Sequence, residues 1–211
     1  MLVKKVIDVQ PQVQLKNTNN HRQVGILGGT FNPPHLGHLI IADQVATQLH
    51  LDQVYLMPDA QPPHLARKTN THVLAAAERI AMLKLAIAHN PRLALELTEI
   101  NRGGVSYTYD TMLQLKQQHP DTDYYFIIGA DMVADLPNWH AIDKLQKLVT
   151  FVGVKRIGYD LVSPYPVLWV DVPYIDISST AIRARIKRGC SINYLVPDAV
   201  IDYIHKKGLY H

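Results

Sequence analysis

Cysteine is nearly absent from this sequence: Cys190 is the only one in 211 residues. One thiol cannot build a disulfide framework within the chain, and its scarcity leans toward a reducing compartment. It follows Gly189 near the end of a helical pattern, with no thiol-nucleophile pattern around it, and reads as a small structural residue. Charge is scarce too. Only 18% of residues are charged and the net charge is +3, which argues against a disordered or coiled-coil chain. The mild excess of cations suits phosphate-bearing ligands. No basic stripe with interleaved aromatics appears, so no nucleic-acid partner is expected. No apolar run is long enough to span a bilayer, so no membrane partner is expected either. Lys4 and Lys5 are not followed by the apolar stretch of a secretory signal, which points to a cytoplasmic protein. Also missing are the Gly-Lys-Ser/Thr ending of a P-loop, a G-x-G-x-x-G fingerprint, a cysteine pair and H-E-x-x-H.

What is present is an alternation of short apolar runs and helical periodicity. The runs are Val24–Leu27, Val54–Met57, Leu93–Leu97, Asp123–Ile128, Leu148–Val154 and Val167–Val170. Between and after them, helices are predicted over Leu36–Leu49, Thr71–His89, Tyr107–Gln118, a region holding Trp139, Ser178–Arg188 and Asp198–Lys206. Continuous apolar strands alternating with helices predict an α/β fold: a doubly wound, Rossmann-like parallel sheet with helices on both faces. At 211 residues, with 47% hydrophobic residues, one domain over residues 24–211 is expected. Residues 1–23, rich in Gln and Asn toward their end, read as an N-terminal extension. Ligands of such sheets bind beyond the carboxyl ends of the strands.

Several unusual segments fall at those ends. The first is Gly28-Gly29-Thr30-Phe31-Asn32-Pro33-Pro34-His35-Leu36-Gly37-His38. Two glycines after a strand allow a sharp turn and close approach to a ligand. His35 and His38 then stand at a helix N-terminus, where free backbone N–H groups attract anions. Phosphate contact is the favoured reading. Two rivals stay open from the loop alone: a metal site, for which the further ligands are missing, and a pair of surface histidines.

The segment Ile177-Ser178-Ser179-Thr180-Ala181-Ile182-Arg183 offers a serine cap, hydroxyls and a guanidinium at a second helix start, or simply an ordinary capped helix. Gly129-Ala130-Asp131 follows the fourth strand, and Asp131 could accept hydrogen bonds there. Trp139, with His140 behind it, could stack on a flat ring. Arg102–Thr111 bunches hydroxyls at a helix entry, and His64 lies in a Pro-Pro-His loop after the second strand.

With these motifs together, the chain resembles the bacterial nicotinate-nucleotide adenylyltransferases of the His-x-Gly-His nucleotidyltransferase superfamily. The likeness runs from about Gln23 to the end, through Gly-Gly-Thr-Phe-Asn-Pro-x-His-x-Gly-His, Pro-Pro-His, Arg-x-Gly-x-Ser-Tyr-Thr-x-Asp-Thr, Ile-Ile-Gly-Ala-Asp, Trp-His, Ile-Ser-Ser-Thr-x-Ile-Arg and the final Gly208-Leu209-Tyr210. The resemblance implies transfer of the adenylyl group of ATP to nicotinate mononucleotide, with Mg²⁺ accompanying the ATP. It implies that Gly28, Gly29, Thr30, His35, His38, Gly129, Asp131, Ser179, Thr180 and Arg183 bind ATP. Of these, His38, His35 and Arg183 form the catalytic set, His38 acting as an imidazolium. His64, Thr108 and Trp139 would bind the mononucleotide, and no residue is assigned to a protein-held metal. Leu65 stands where the family often carries Lys, with Arg67 or Lys68 as replacements, and Ile157 stands where Pro is frequent. Three alternatives remain: a different acceptor (nicotinamide mononucleotide, phosphopantetheine or a flavin), a non-catalytic nucleotide-binding regulator, and, for assembly, a homo-oligomer.

Overall fold

The computed structural model of the chain describes residues 20–62, 73–155 and 162–211. Most of the expected extension, along with His64, Leu65, Arg67, Lys68 and Ile157, lies outside the described residues.

Six strands form one sheet: β1 (Arg22–Gly29), β2 (Gln53–Pro58), β3 (Leu93–Leu95), β4 (Thr122–Gly129), β5 (Val149–Val154) and β6 (Val167–Val170). Their order is β3-β2-β1-β4-β5-β6, and every neighbouring pair is parallel. The doubly wound expectation holds. The order reverses between β1 and β4, so the ends of these two strands, Gly28–Gly29 and Gly129, flank the crevice where such sheets take ligands.

The strands are buried on both faces, which is why they read as continuous apolar runs rather than alternating ones. From β1 and β4, Val24, Ile26, Tyr124, Phe126 and Ile128 join one core cluster, while Leu27, Tyr125 and Ile127 join another. On the second face lie α1 (Leu36–Gln48) and α2 (Ala76–Ile87), through Ala42, Val45, Ala46 and Leu83. On the first lie α4 (Thr108–Gln118), α5 (Ala130–Asp135) and α6 (Ile142–Leu145), through Met112, Leu115, Val133, Ile142 and Leu145. A third cluster joins α7 (Ser179–Lys187) and α8 (Asp198–Lys207) to Met82 of α2.

Three sequence expectations need adjustment. The third strand stops at Leu95, and a short helix, α3 (Thr98–Arg102), takes over. Its entry is fastened by the Glu96 carboxylate, which accepts from both the backbone N–H and the hydroxyl of Thr98. The helix expected from Thr71 begins at Ala76. The region around Trp139 is not one helix: α5 runs into a 3-10 turn, Leu136–Asn138, whose Pro137 lacks a backbone donor, and Trp139 follows that turn.

Candidate active site

The loop from Gly28 to His38 folds differently from the glycine-turn expectation. Gly28 and Gly29 are still strand, paired with Met57 and Pro58 of β2. The reversal comes later, at Phe31, whose φ of +49° lies in the left-handed region. Phe31 is buried, and its ring sits under Gly29, where a Cβ would come within 3.3 Å of it. The second glycine therefore serves close packing rather than turning.

α1 starts beyond His35, which is 6% exposed. The His35 backbone N–H donates to Nδ1 of His38 at 3.2 Å. The two imidazoles stack with centroids 3.6 Å apart, and Phe31 meets His38 edge-on at 4.9 Å. In this geometry Nδ1 of His38 is the acceptor, which leaves the donor role to Nε2.

α7 supplies the opposing jaw. Ser178 is its N-cap, with Oγ accepting from the Ala181 N–H at 3.2 Å, while Ser179 Oγ donates to the Pro33 carbonyl at 2.7 Å. Arg183 donates through Nη1 to the Asn32 carbonyl at 2.8 Å and through Nη2 to Thr180 Oγ1 at 3.2 Å. The two segments singled out in the sequence are thus bound directly to each other, across a separation of about 150 residues in the chain.

Two cavities meet over the switch point. One, of about 330 Å³, is lined by His35, His38, Gly129, Asp131, Ser178 and Ser179, with Val172–Ile175 and Ile177 forming an apolar wall. The other, of about 530 Å³, is lined by Gly29, Thr30, Asp59, Glu99, Ser106, Tyr107, Thr108, Trp139 and His140. Gly28, Ile128 and Met132 line both. Of the expected ATP residues, Gly28, His35, His38, Gly129, Asp131 and Ser179 line the smaller cavity, Gly29 and Thr30 line the larger one, and Thr180 and Arg183 line neither. Arg183 reaches the loop at the Asn32 carbonyl, and Thr180 accepts from Arg183. Thr108 and Trp139 both line the larger cavity, and His64 lies outside the described residues.

Trp139 is wedged between Phe126 and Phe151, whose rings meet it at 87° and 88°. Its indole Nε1 is buried with no hydrogen-bond partner among the described residues. The indole is thus held by edge contacts with two phenyl rings rather than by an N–H bond among the described residues. Nearby, Tyr107 and His140 pack at 4.7 Å. Thr108 is the first residue of α4, whose N-cap, Tyr107, makes no side-chain cap bond, so the hydroxyls there are not simple capping groups.

Sequence reasoning missed the polar groups that hold this cavity in shape. Arg79 is 2% exposed. It donates to the Thr30 carbonyl at 2.9 Å, to the Asp59 carbonyl at 2.8 Å and to the Leu74 carbonyl at 3.2 Å, and reaches Asp59 Oδ1 at 3.4 Å. Asp59 in turn accepts from Thr30 Oγ1 at 2.7 Å. Burial pushes the Asp59 carboxyl above its usual range, against the pull of Thr30 and Arg79, and burial pulls the Arg79 guanidinium down. The signal was a charge on the apolar stripe of α2, three residues after Ala76 and four before Leu83.

Glu99, also buried, accepts from Thr111 Oγ1 at 3.0 Å, and that oxygen receives Arg102 Nη2 at 2.8 Å. Burial raises the Glu99 carboxyl, partly offset by the Ser106 and Thr111 hydroxyls and by Arg102. The Gln61–Val105 bridge and the bond from the Ala60 N–H to Ser106 Oγ tie the segment after β2 to the entry of α4.

Comparison with known proteins bears on this arrangement. The family model for cytidylyltransferase-like proteins matches residues 26–185. A protein of Lactiplantibacillus plantarum named "Probable nicotinate-nucleotide adenylyltransferase" is 61% identical, over 90% of this chain and 89% of its own. Its namesake in Enterococcus faecalis is 55% identical, over 96% and 91%. Among solved structures, the Plasmodium falciparum nicotinic acid mononucleotide adenylyltransferase, in complexes with APC and with NaAD, superposes with a TM-score of 0.75. At 21% identity, covering 90% of this chain and 98% of that one, it shows a shared fold.

Proposed function

The chain belongs to the nicotinate-nucleotide adenylyltransferase family, and on that premise we propose that its two joined cavities are the two substrate sites of that reaction. The enzyme transfers the adenylyl group of ATP to nicotinate mononucleotide, releasing pyrophosphate and forming nicotinate adenine dinucleotide. We assign ATP to the smaller cavity, beside His35, His38, Asp131 and Ser179, and the mononucleotide to the larger, beside Thr108 and Trp139. The observation that carries this reading is the seam at Gly28, Ile128 and Met132. A phosphate entering from one side meets a triphosphate entering from the other.

The chemistry asks little of the protein beyond placement. An oxygen of the mononucleotide's phosphate attacks the α-phosphorus of ATP. The new P–O bond forms as the bond to the bridging α,β oxygen breaks, and its electron pair leaves with pyrophosphate. The attacking oxygen is already ionised, so no general base is needed. Catalysis is alignment plus donors to the charge on the phosphoryl oxygens. His38 supplies Nε2–H, and the N-terminal turns of α1 and α7 supply backbone N–H groups and a favourable dipole. Arg183, backed by Thr180, fixes the loop at Asn32, and Thr30 is tied to Asp59 on the side of the larger cavity. Gly28 keeps the seam clear of a side chain.

Among the described residues, no group of three or more His, Cys, Asp or Glu is placed to hold a metal. We take Mg²⁺ as part of the ATP substrate, where it would neutralise the charge of the phosphates.

The larger cavity has no Lys or Arg in its described lining, although its ligand carries a phosphate and a pyridine carboxylate. We assign the carboxylate to the start of α4 at Thr108, where the helix dipole and first-turn N–H groups favour an anion, with the ring stacked on Trp139. A nicotinamide amide gains less from that dipole. The same reading treats residues 24–211 as one domain behind a 1–23 extension, working on small molecules in the cytoplasm. Among the described residues, no helix is long and apolar enough to cross a membrane.

The test is pyrophosphate release from ATP and Mg²⁺ by the purified chain, with nicotinate mononucleotide, nicotinamide mononucleotide, phosphopantetheine and flavin mononucleotide offered in parallel. Release with nicotinate mononucleotide at the highest kcat/KM supports the assignment. A preference for any other acceptor removes the α4 carboxylate site.

A further inference from the structure

We propose that the Tyr210 hydroxyl, delivered by the turn that ends α8, positions the Asn32 corner of the phosphate loop for adenylyl transfer. The inference rests on the adenylyltransferase reading of that loop. Tyr210 Oη donates to Asn32 Oδ1 at 2.8 Å, linking residues 178 positions apart. Asn32 is 3% exposed, and bonds from Tyr210, Leu74 and Arg183 converge on it. Its amide oxygen receives Tyr210 Oη and, at 3.4 Å, the Leu74 N–H. Its carbonyl receives Arg183 Nη1 at 2.8 Å. The neighbouring Pro33 carbonyl receives Ser179 Oγ, and the Leu36 N–H donates to the Leu195 carbonyl at 2.9 Å. From Asn32 to Leu36 the loop is thus held from the side of the α7–α8 pair, and Tyr210 closes that grip.

Local chemistry explains how the tyrosine gets there. Gly208 ends α8 with φ +60°, where a glycine meets no steric penalty. The Leu209 N–H returns to the Ile204 carbonyl at 3.0 Å and the Gly208 N–H to the His205 carbonyl at 3.2 Å. This paired closure reverses the chain direction. Tyr210 then takes φ +68°, a conformation a tyrosine adopts only when its surroundings fix it. Its ring packs against the α7–α8 core, and Arg79 and Arg183 act electrostatically on its hydroxyl. Burial holds the phenol far above its ordinary range, so it stays a donor at neutral pH. Gly208-Leu209-Tyr210 is therefore a tether to the loop that carries His35 and His38.

Tyr210→Phe keeps the ring and removes only the donor. Expected is a fall in kcat of about fivefold, the net worth of one neutral hydrogen bond, with the mononucleotide KM unchanged. The fall in Tm should not exceed about 4 °C. Introducing Tyr210→Phe into an Asn32→Ala background should add no further loss, because the two groups act as one unit. Wild-type kcat in Tyr210→Phe, a change confined to KM, or additive losses in the double variant would each overturn the tether. Absence of turnover in the wild-type chain would instead overturn the adenylyltransferase reading on which it rests.

Discussion

The backbone N–H of His35 donates to Nδ1 of His38 at 3.2 Å, so one histidine sets the tautomer of the next. The bond spends Nδ1 as an acceptor and leaves Nε2 to carry the proton. Stacking on His35 and the edge of Phe31 fix the ring plane, so the donor is aimed before any phosphate arrives. A preorganised donor to a transition-state oxygen is worth on the order of a hundredfold or more in rate. His38→Ala is accordingly expected to lower kcat/KM at least about a hundredfold while remaining folded. Steady-state kinetics on a variant with a native circular-dichroism spectrum decides it, and near-normal turnover would remove His38 from the mechanism.

Trp139 lines the larger cavity with its indole fixed by Phe126 and Phe151 and its Nε1 turned into the protein. Stacking a flat ring on an aromatic face is worth about 1 to 3 kcal/mol per ring by alanine substitution. Trp139→Ala should therefore raise the mononucleotide KM by at least about fivefold and leave the ATP KM near its starting value. Titrating each substrate at saturation of the other separates the two effects. An equal rise in both KM values would mean that the tryptophan supports the fold of the seam rather than the ring of one ligand.

Motif residues were legible in the sequence because each sits where a strand ends or a helix begins, and those positions carry local signals. Gly28, His38, Gly129, Asp131 and Ser179 could all be placed that way. The groups that lock them were not. In the sequence Asp59 is one more polar residue after an apolar run, and Arg79 is one of two cations, with Lys84, in a helical pattern. Their partnership joins the end of β2 to α2 and to the carbonyl of Thr30, a relation no sequence spacing encodes. Tyr210 was visible only as part of a tail, because its partner Asn32 lies 178 residues away. The sheet order was outside the reach of periodicity for the same reason: strand pairing is a long-range property, whereas apolar runs are local.

Glu99 gives the fold a dependence on pH. Its carboxyl is buried beside Ser106 and Thr111, and burial raises its pKa above the ordinary value of 4.5, even with Arg102 nearby. A group whose folded pKa is raised binds its proton more tightly in the native state. Its stabilising contribution is complete below 4.5 and is lost as pH rises through the raised folded value. Glu99→Gln keeps the acceptor for Thr111 but cannot ionise. The Tm difference between wild type and variant should therefore shift in favour of the variant as pH rises from 4.5 toward neutrality. A difference that stays flat across that window would show that Glu99 ionises as freely folded as unfolded.

Arg79 and Asp59 form the most buried ion pair of the site, with side chains 2% and 11% exposed. Removing the guanidinium takes away donors to the carbonyls of Thr30, Asp59 and Leu74 and leaves a carboxylate with one hydroxyl partner, Thr30. Breaking a buried pair from one side costs about 3 to 5 kcal/mol. Arg79→Ala should lose stability on that scale in urea unfolding at neutral pH. Asp59 is already pushed toward its neutral form by burial, so the loss should shrink as pH falls toward its ordinary value of 3.8, where the stranded carboxylate can take a proton. Arg79→Lys keeps a charge for Asp59 but cannot span three carbonyls at once, so it should recover part of the stability and less of the turnover. If Arg79→Ala is as stable as wild type at neutral pH, the pair is not what fixes the end of β2 to the phosphate loop. A loss that does not change with pH would place the cost in the carbonyl bonds alone.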